Sequence, residues 1–392
     1  MNEIVHYFSP TKFQVSEIKK TNSLFQSQLH NYITFHSETK PVLNIGSYNI
    51  AIIGVGEDRN AQNNGSAVAP EEVLKYLYSL YAPKRSIKIV DLGNLRNGKT
   101  IRDTYSALQD VVHFLLKKNV LPIIIGGSQD LTYANYMGYK NLEQLVNLTV
   151  IDACFDFGNP EDLFDVNTYL SKIIADKDSH LFNYTNLAFQ TYCVPFEEIE
   201  MMRSLHFDIL RLGMLRSNIE DAETLLRDSD IVSFDIAAIK QCEAPATQFP
   251  NPNGLNGEEA CQLAWYSGVS DRVSSFGIYN IVPQIDINGQ TAHLAATIIW
   301  HFIKGFYSRH NDYPFSDISE CLSYYVKVDD CEESIVFYQS RKSDRWWMQV
   351  PFPNKTFGKR LITACSQRDY ETACNGQIPE RWWKEYVKIR DN

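Results

Sequence analysis

Three aspartates and one glutamine follow predicted strands at positions where their side chains could bind a cation. Asp152 and Asp156 lie in the segment DACFD, Asp235 lies in SFDIA, and Gln129 lies in GGSQD. Buried carboxylates repel one another unless a cation or a hydrogen-bond donor lies between them. Oxygen ligands of this kind suit a hard divalent ion. The alternative is that each aspartate caps a helix or braces a loop, as Asp often does at strand-to-helix turns.

A sheet must position these residues, and eight short apolar runs predict its strands. Several runs are apolar on both faces, which is typical of buried parallel strands. In an open parallel sheet, ligands bind at the carboxyl ends of the strands, where the loops converge. The predicted strands are 49–55, 87–91, 120–125, 148–152, 187–193, 207–212, 230–235 and 276–282.

Amphipathic segments between these runs predict helices at 70–81, 104–118, 257–266 and 290–304. The alternation of strands and helices predicts a three-layer α/β/α domain with a mainly parallel eight-stranded sheet over residues 46–309. Residues 1–45 are polar and weakly periodic, so we expect an N-terminal arm there. Residues 310–392 are aromatic-rich and irregular, so we expect an appended C-terminal extension whose final helix begins after Pro379.

The composition excludes several classes of function. The chain has 392 residues, a formal net charge of −10 and no apolar stretch approaching the roughly 20 residues that span a bilayer. An acidic surface does not attract nucleic acid or anionic membranes. The eight cysteines show no Cys-x-x-Cys pair and no His at zinc-finger spacing, so we expect reduced thiols. The first residues lack the features of a secretory signal. We therefore expect a cytoplasmic protein with no membrane span and no nucleic-acid partner.

The strand-end motifs resemble those of the ureohydrolases, the arginase, agmatinase and formimidoylglutamase family. That family carries Gly-Gly-x-His-[Ser/Asp], Asp-Ala-His-x-Asp and Ser-Phe-Asp-x-Asp in this order. This chain has similar segments at 126–130, 152–156 and 233–237, and the segment 54–58 is also similar to the family's first strand end. The resemblance covers about residues 46–308 and is closest to the formimidoylglutamase-like branch. It implies an arginase-like fold.

The resemblance also implies a centre of two Mn²⁺ ions held by histidine and aspartate side chains. The ions activate a water molecule that attacks an amidine or guanidine carbon. At the positions of the first ion this chain has Gln129 in place of His, together with Asp152, Asp156 and Asp235. This set offers four oxygen ligands that could hold one Mg²⁺, Ca²⁺ or Mn²⁺.

The positions of the second ion are more strongly altered. Its histidine is replaced by Cys154 and its last aspartate by Ala237, so two of its ligands are degenerate. Asn280 replaces the glutamate that contacts the substrate's cationic group, and it is a remnant of the substrate pocket. Lys240 lies nearby, where its amine would repel cations. We therefore expect no metal or one divalent cation, and we expect two Mn²⁺ ions not to bind.

The substituted positions lead us to expect a catalytically deficient pseudoenzyme with a binding or assembly role and no catalytic residue. The alternative is a metal-dependent hydrolase of a linear amidine, such as N-formimidoyl-glutamate, with a reduced or rebuilt metal site. A reaction of the Cys154 thiol is disfavoured, because none of the motifs contains a histidine to deprotonate it. The tryptophans of the extension either anchor a protein partner or pack against the domain. The resemblance also implies a homo-oligomer.

Overall fold

The computed structural model describes most of the chain. The described residues are 4–11, 26–84, 86–142, 144–158, 164–176, 179–314, 318–328, 333–351 and 360–391. Of the arm predicted over residues 1–45, the parts at 1–3 and 12–25 therefore lie outside the described residues. Its described part is not separate from the domain, since it contributes strands to the central sheet.

A ten-stranded sheet forms the centre of the fold. Its strands are β1 (Phe8–Ser9), β2 (Ile33–Phe35), β3 (Ile50–Val55), β4 (Ile89–Leu95), β5 (Leu121–Gly126), β6 (Val146–Ile151), β7 (Leu181–Phe189), β8 (Asp208–Arg211), β9 (Ile231–Asp235) and β10 (Ser275–Tyr279). Their order is β1-β4-β3-β5-β10-β9-β6-β7-β8, and β2 also pairs with β4. Strands β3 to β10 pair in parallel, whereas β1 is antiparallel to β4. The predicted mainly parallel eight-stranded sheet is confirmed, with two strands added by the arm.

Helices cover both faces of this sheet. They are α1 (Ala69–Leu77), α2 (Ile101–Lys117), α3 (Leu131–Met137), α4 (Tyr169–Ala175), α5 (Phe196–Ser204), α6 (Leu212–Ser217), α7 (Asp221–Arg227), α8 (Gly257–Val269) and α9 (Gln290–Phe306). Side chains of α1, α8 and α9 pack in the core on one face, and those of α2, α3 and α4 pack on the other. The three-layer arrangement is therefore confirmed. None of the described helices is long and apolar enough to cross a membrane.

The C-terminal extension is a sheet with two helices. Strands β11 (Cys321–Val326), β12 (Ile335–Ser340), β13 (Trp346–Pro351) and β14 (Arg360–Cys365) pair antiparallel in chain order, and α10 (Gln367–Cys374) and α11 (Glu380–Asp391) follow. The predicted C-terminal appendage is confirmed, and its final helix begins after Pro379 as predicted, but its four strands were not predicted from the sequence. Trp346, Trp347 and Trp382 are buried, whereas Trp383 is 48% exposed.

Polar contacts join the extension to the amino ends of the parallel strands. Asp228, which precedes β9, accepts hydrogen bonds from Thr363 Oγ1 at 2.7 Å, Ala364 N at 2.8 Å and Arg381 Nη2 at 2.8 Å. Near the start of β7, Asn183 Oδ1 accepts a hydrogen bond from Lys388 Nζ at 2.7 Å. Ligands bind at the opposite, carboxyl ends of such strands. The described part of the extension therefore docks away from the edge that carries the site.

The buried carboxyl group of Asp91, in β4, allows a test of how burial changes a pKa in the core. Asp91 Oδ2 accepts a hydrogen bond from Tyr78 Oη at 2.6 Å, and Asp91 Oδ1 accepts one from Gly93 N at 2.7 Å. Both side chains are almost fully buried. Burial raises the pKa of Asp91 from 3.8 to about 6, even though both hydrogen bonds favour the charged form.

The variant Asp91→Asn should change how stability depends on pH. A carboxyl whose pKa is higher in the folded than in the unfolded chain binds its proton more tightly when folded. The free energy of unfolding of the native chain should therefore fall as the pH rises from about 4 to about 6, by up to about 3 kcal/mol. Urea unfolding across this range should show the full fall in the native chain and in the control Asp221→Asn, whose side chain is exposed, and a smaller fall in Asp91→Asn. The fall that remains in Asp91→Asn comes from other carboxyls with raised pKa values, such as Asp152. Equal slopes for all three proteins would contradict this assignment.

Candidate metal centre

The carboxyl ends of four adjacent strands bring the predicted site residues together. Gln129 lies in the loop after β5, Asp152 directly follows β6, Asp235 ends β9 and Asn280 directly follows β10. These strands are neighbours in the order β5-β10-β9-β6. Ligand oxygens of Asp152, Asp156 and Asp235 all lie within 4.8 Å of one another. Among the residues that the structure describes, this is the one group of three or more acidic, His or Cys side chains close enough to hold a metal ion.

The three carboxyl groups are desolvated and close together, and both effects raise their pKa values well above the ordinary range. Burial is the main cause for each group. The second cause is the charge of a neighbour, which is Asp156 for Asp152, Asp235 for Asp156 and Asp152 for Asp235. A cluster of like charges in a buried position favours a bound cation. The oxygen donors fit a hard divalent ion such as Mn²⁺ or Mg²⁺.

Backbone amides fix the orientation of two of these carboxylates. Cys154 N donates a hydrogen bond to Asp152 Oδ1 at 3.1 Å, and Ala237 N donates one to Asp235 Oδ1 at 2.7 Å. The Oδ2 atoms of both aspartates face the cluster, where the Gln129 carboxamide contacts them. The two positions with degenerate side chains therefore still hold the carboxylates through their main chain.

The carboxamide of Gln129 contacts all three carboxylates. With its nitrogen toward them, it donates hydrogen bonds to Asp235 Oδ2 at 2.7 Å, Asp152 Oδ2 at 3.0 Å and Asp156 Oδ2 at 3.2 Å. With its oxygen toward them, it provides a fourth oxygen ligand for a cation. The partners of an amide decide which way it faces. Gln129 is therefore able to satisfy the carboxylates itself or to join them in binding an ion.

Asn280 is hydrogen-bonded within the site. Its Nδ2 donates to Asp235 Oδ2 at 2.6 Å, its Oδ1 accepts from Gln129 N at 3.1 Å, and its own N donates to Gly127 O at 2.8 Å. The residue has φ of 65°, a left-handed conformation that Asn adopts more readily than most residues. The sequence predicts a substrate-pocket remnant here. The structure shows a side chain that braces Asp235 and the loop that carries Gln129.

Two other side chains near the centre have protein partners of their own. Cys154 Sγ donates a weak hydrogen bond to Cys193 O at 3.6 Å. Burial raises the pKa of the Cys154 thiol, and the charges of Asp152 and Asp156 raise it further. Lys240 Nζ lies 2.8 Å from Glu243 Oε1, so its amine is paired and does not fill the centre.

Sequence reasoning missed the polar residues that join two loops beside Cys154. Gln190 Nε2 donates a hydrogen bond to Asn253 O at 2.7 Å, and Tyr192 Oη donates one to Asn251 Oδ1 at 3.1 Å. Asn251 Nδ2 in turn donates to Cys193 Sγ at 3.2 Å. The predicted strand 187–193 placed Gln190 and Tyr192 inside a strand, but β7 ends at Phe189. A correct strand end would have put both residues at the carboxyl edge with the site.

Comparisons with known proteins agree with this geometry. A family model described as the arginase family matches residues 48–304. A formimidoylglutamase from Streptococcus gordonii is 24% identical over 295 residues, which cover 69% of this chain and 88% of that protein. The solved formimidoylglutamase from Bacillus subtilis superposes with a TM-score of 0.66 at 18% identity, covering 76% of this chain and 97% of the other.

A second solved structure corrects the expectation about metal. The formiminoglutamase from Trypanosoma cruzi, solved with two Mn²⁺ ions, has a TM-score of 0.63 at 19% identity and covers 68% of this chain and 96% of its own. This finding contradicts the expectation of no metal or one divalent cation, and the expectation that two Mn²⁺ ions do not bind. Counting side-chain ligands was insufficient, because water molecules also complete the coordination of hard cations.

The sheet, the order of the motifs and the comparisons lead to one assignment. The strand order places three motif segments at one edge, and the family model spans nearly the whole of the three-layer domain. The two solved relatives cover 68% and 76% of the chain. The chain therefore belongs to the arginase family, the ureohydrolases, and is a formimidoylglutamase-like member of it.

Proposed function

We propose that this chain is a metal-dependent hydrolase that cleaves a C–N bond of a linear amidine. The observation that carries the proposal is the cluster of the buried Asp152 and Asp235 with the half-buried Asp156 in a chain of this family. The relatives are named as enzymes, formimidoylglutamases from several bacteria, which supports the hydrolase over the catalytically deficient protein that the substituted positions suggest. The substitutions alone were therefore a poor guide, because they leave the carboxylate cluster in place.

Manganese fits the donor atoms of the site. Asp152, Asp156 and Asp235 would hold it, and the amide oxygen of Gln129 is able to face the same point. Asp152 and Asp235 would also be the side chains available to hold a second ion, because the side chain of Ala237 has no ligand atom. When bound, manganese supplies Lewis-acid activation of a water molecule near neutral pH.

The protein's own contribution is to hold the ligands before the substrate arrives. Asn280 and the backbone amide of Ala237 fix the two oxygens of Asp235, and Cys154 N fixes one oxygen of Asp152. Ligands that are held by a second layer of hydrogen bonds keep the geometry that catalysis needs. The low exposure of Asp152 and Asp235 also limits the access of bulk water, which strengthens electrostatic interactions inside the site.

Hydrolysis should be measured on a panel of linear amidines with manganese-loaded protein. We expect release of formamide and the free amine from at least one formamidine. The variant Asp235→Ala should lose manganese and lower kcat/KM at least about 100-fold, because it removes a carboxylate at the centre of the cluster. The variant Gln129→His should retain manganese more tightly, since imidazole suits this metal better than an amide does.

The proposal fails if manganese is bound, as shown by elemental analysis, and none of the amidines is cleaved. A circular-dichroism spectrum and melting curve of each variant separate loss of the centre from loss of the fold. The control Asp221→Asn, an exposed carboxyl on α7, should keep the manganese content and rate of the native chain.

Removing one charge from the cluster should stabilise the metal-free protein. The variant Asp156→Asn relieves the repulsion between Asp156 and its neighbours, so its melting temperature in EDTA should rise by about 2 °C or more. Manganese should raise the melting temperature of the native chain, because an ion that binds the folded state stabilises it. The rise should be smaller in Asp156→Asn than in the control Asp221→Asn. The same manganese-dependent rise in all three proteins would exclude Asp156 as a ligand.

A further inference from the structure

The loops around the centre carry few basic residues. The six loops that follow β3, β5, β6, β7, β9 and β10 span residues 56–68, 127–130, 152–168, 190–195, 236–256 and 280–289. By sequence they contain two basic residues, Arg59 and Lys240, and no histidine. In the parts of these loops that the structure describes, the acidic residues are Glu57, Asp58, Asp130, Asp152, Asp156, Asp165, Glu243 and Asp286. Acidic residues therefore outnumber basic ones on the described loops around the site.

Both basic side chains are committed to acidic partners. Arg59 Nε donates to Glu57 Oε1 at 2.8 Å, and its Nη1 donates to Lys99 O at 2.9 Å. Lys240 lies 2.8 Å from Glu243. Other basic residues at this edge lie on strands that carry no ligand: Arg96 and Lys99 follow β4, and Arg211 and Arg216 end or follow β8. Strands β3 and β7 separate β4 and β8 from the strands that carry the ligands, and Arg216 is paired with Glu259 at 3.0 Å. Neither cation of the six loops is therefore available to pair with a carboxylate of a substrate.

The same loops expose large apolar side chains. Tyr192 is 64% exposed, Phe249 is 61% exposed and Ile285 is 52% exposed, and each lies on a different loop. Val68 and Ile287 are also exposed on these loops. Scattered exposed apolar residues are ordinary, but a group of them on the loops around one site is typical of a binding surface.

Hydrogen bonds join the loops of Tyr192 and Phe249 to each other and to Cys154. Tyr192 Oη lies 3.1 Å from Asn251 Oδ1, and Phe249 is two residues before Asn251 in the chain. The backbone oxygen of Cys193, which follows Tyr192 in the chain, accepts a hydrogen bond from Cys154 Sγ. Cys154 lies between Asp152 and Asp156 in the sequence. The side chains of Tyr192 and Phe249 therefore lie on loops whose bases contact the metal centre.

We propose that the substrate is an amidine attached to an apolar, aromatic or aliphatic body that has no carboxylate. This inference rests on the proposed function and names the substrate class for the same site. A carboxylate entering this mouth would lose water without gaining a cation, which costs free energy. An apolar body gains free energy by packing against Tyr192 and Phe249. The amidine itself is cationic near neutral pH, so the excess of acidic over basic residues on these loops attracts it.

The test compares two formamidines with the same reactive group, N-(2-phenylethyl)formamidine and N-formimidoyl-glutamate. With manganese-loaded full-length protein, kcat/KM should be at least about tenfold higher for the phenylethyl compound, the size expected from partial burial of one ring. Equilibrium binding of the two product amines, phenylethylamine and glutamate, should show the same preference by calorimetry. This second measurement does not depend on turnover.

Two variants of one residue sharpen the test. Phe249→Ala should lower kcat/KM for the phenylethyl compound about fivefold to tenfold and leave the glutamate compound unchanged. Phe249→Arg should raise the affinity for glutamate. The substitution adds a guanidinium that has no acidic partner on the loops and is free to pair with the carboxylates of glutamate. The matched control Tyr325→Ala removes a ring that is 74% exposed on β11 of the extension, and it should change neither substrate.

The outcomes separate this inference from the proposed function. Equal or faster cleavage of N-formimidoyl-glutamate would overturn the substrate class and leave the hydrolase standing. A Phe249→Ala effect that is equal on both compounds would also overturn it. If neither compound is cleaved but phenylethylamine binds more tightly than glutamate in a Phe249-dependent way, the hydrolase fails and the apolar recognition surface stands.

Discussion

The electrostatic cost of three carboxyl groups held within 4.8 Å of one another explains much of the structure around them. Each group loses water on folding and faces a like charge, so each must be held by donors or by a cation. The donors are two carboxamides and two backbone amides. Gln129 and Asn280 are themselves linked, since Gln129 N donates to Asn280 Oδ1, so the carboxylates rest on one connected polar unit. A side chain in this unit cannot change without altering how the ligands are held.

The same constraint changes how the substituted positions should be understood. Gln129 and Asn280 replace residues that bind metal or substrate in the family, and both now direct amide groups at the carboxylates. An amide also has an oxygen, so the replacement of an imidazole by Gln129 keeps a donor atom for a hard cation. The main chain at Cys154 and Ala237 still orients Asp152 and Asp235. Loss of a ligand side chain is therefore not the same as loss of the centre.

The sequence predicted the parallel sheet well, because strands that are buried on both faces read as short apolar runs between amphipathic helices. All eight runs overlap strands β3 to β10. The strands of the extension were not predicted, and the reason is related. In β12, Ile335 and Phe337 pack in one core cluster while Val336 and Tyr338 pack in another, so the strand lacks the apolar and polar alternation of a one-sided sheet. Without flanking helices, such a run does not reveal its partners.

Positions of the site residues were easier to predict than their partners. Motif order located the aspartates at strand ends, but which donor faces which carboxylate depends on side-chain packing between β5, β10, β9 and β6. The pairing of Lys240 with Glu243 and the left-handed conformation of Asn280 have no sequence pattern that would predict them. The metal expectation failed because it counted side-chain ligands alone and left out the water molecules that complete the coordination of hard cations.

The amino ends of the parallel strands contact the extension, whereas their carboxyl ends carry the metal centre and its loops. At the amino ends, Asp228 is saturated by donors from the extension, and three of the four tryptophans named in the extension are buried by packing. Of these four tryptophans, only Trp383 is therefore exposed enough to contact a protein partner at the extension. At the carboxyl ends, loops that carry Tyr192 and Phe249 surround the centre. Because the length of the strands lies between them, residues at the mouth are free to change the accepted amidine without disturbing how the extension is held.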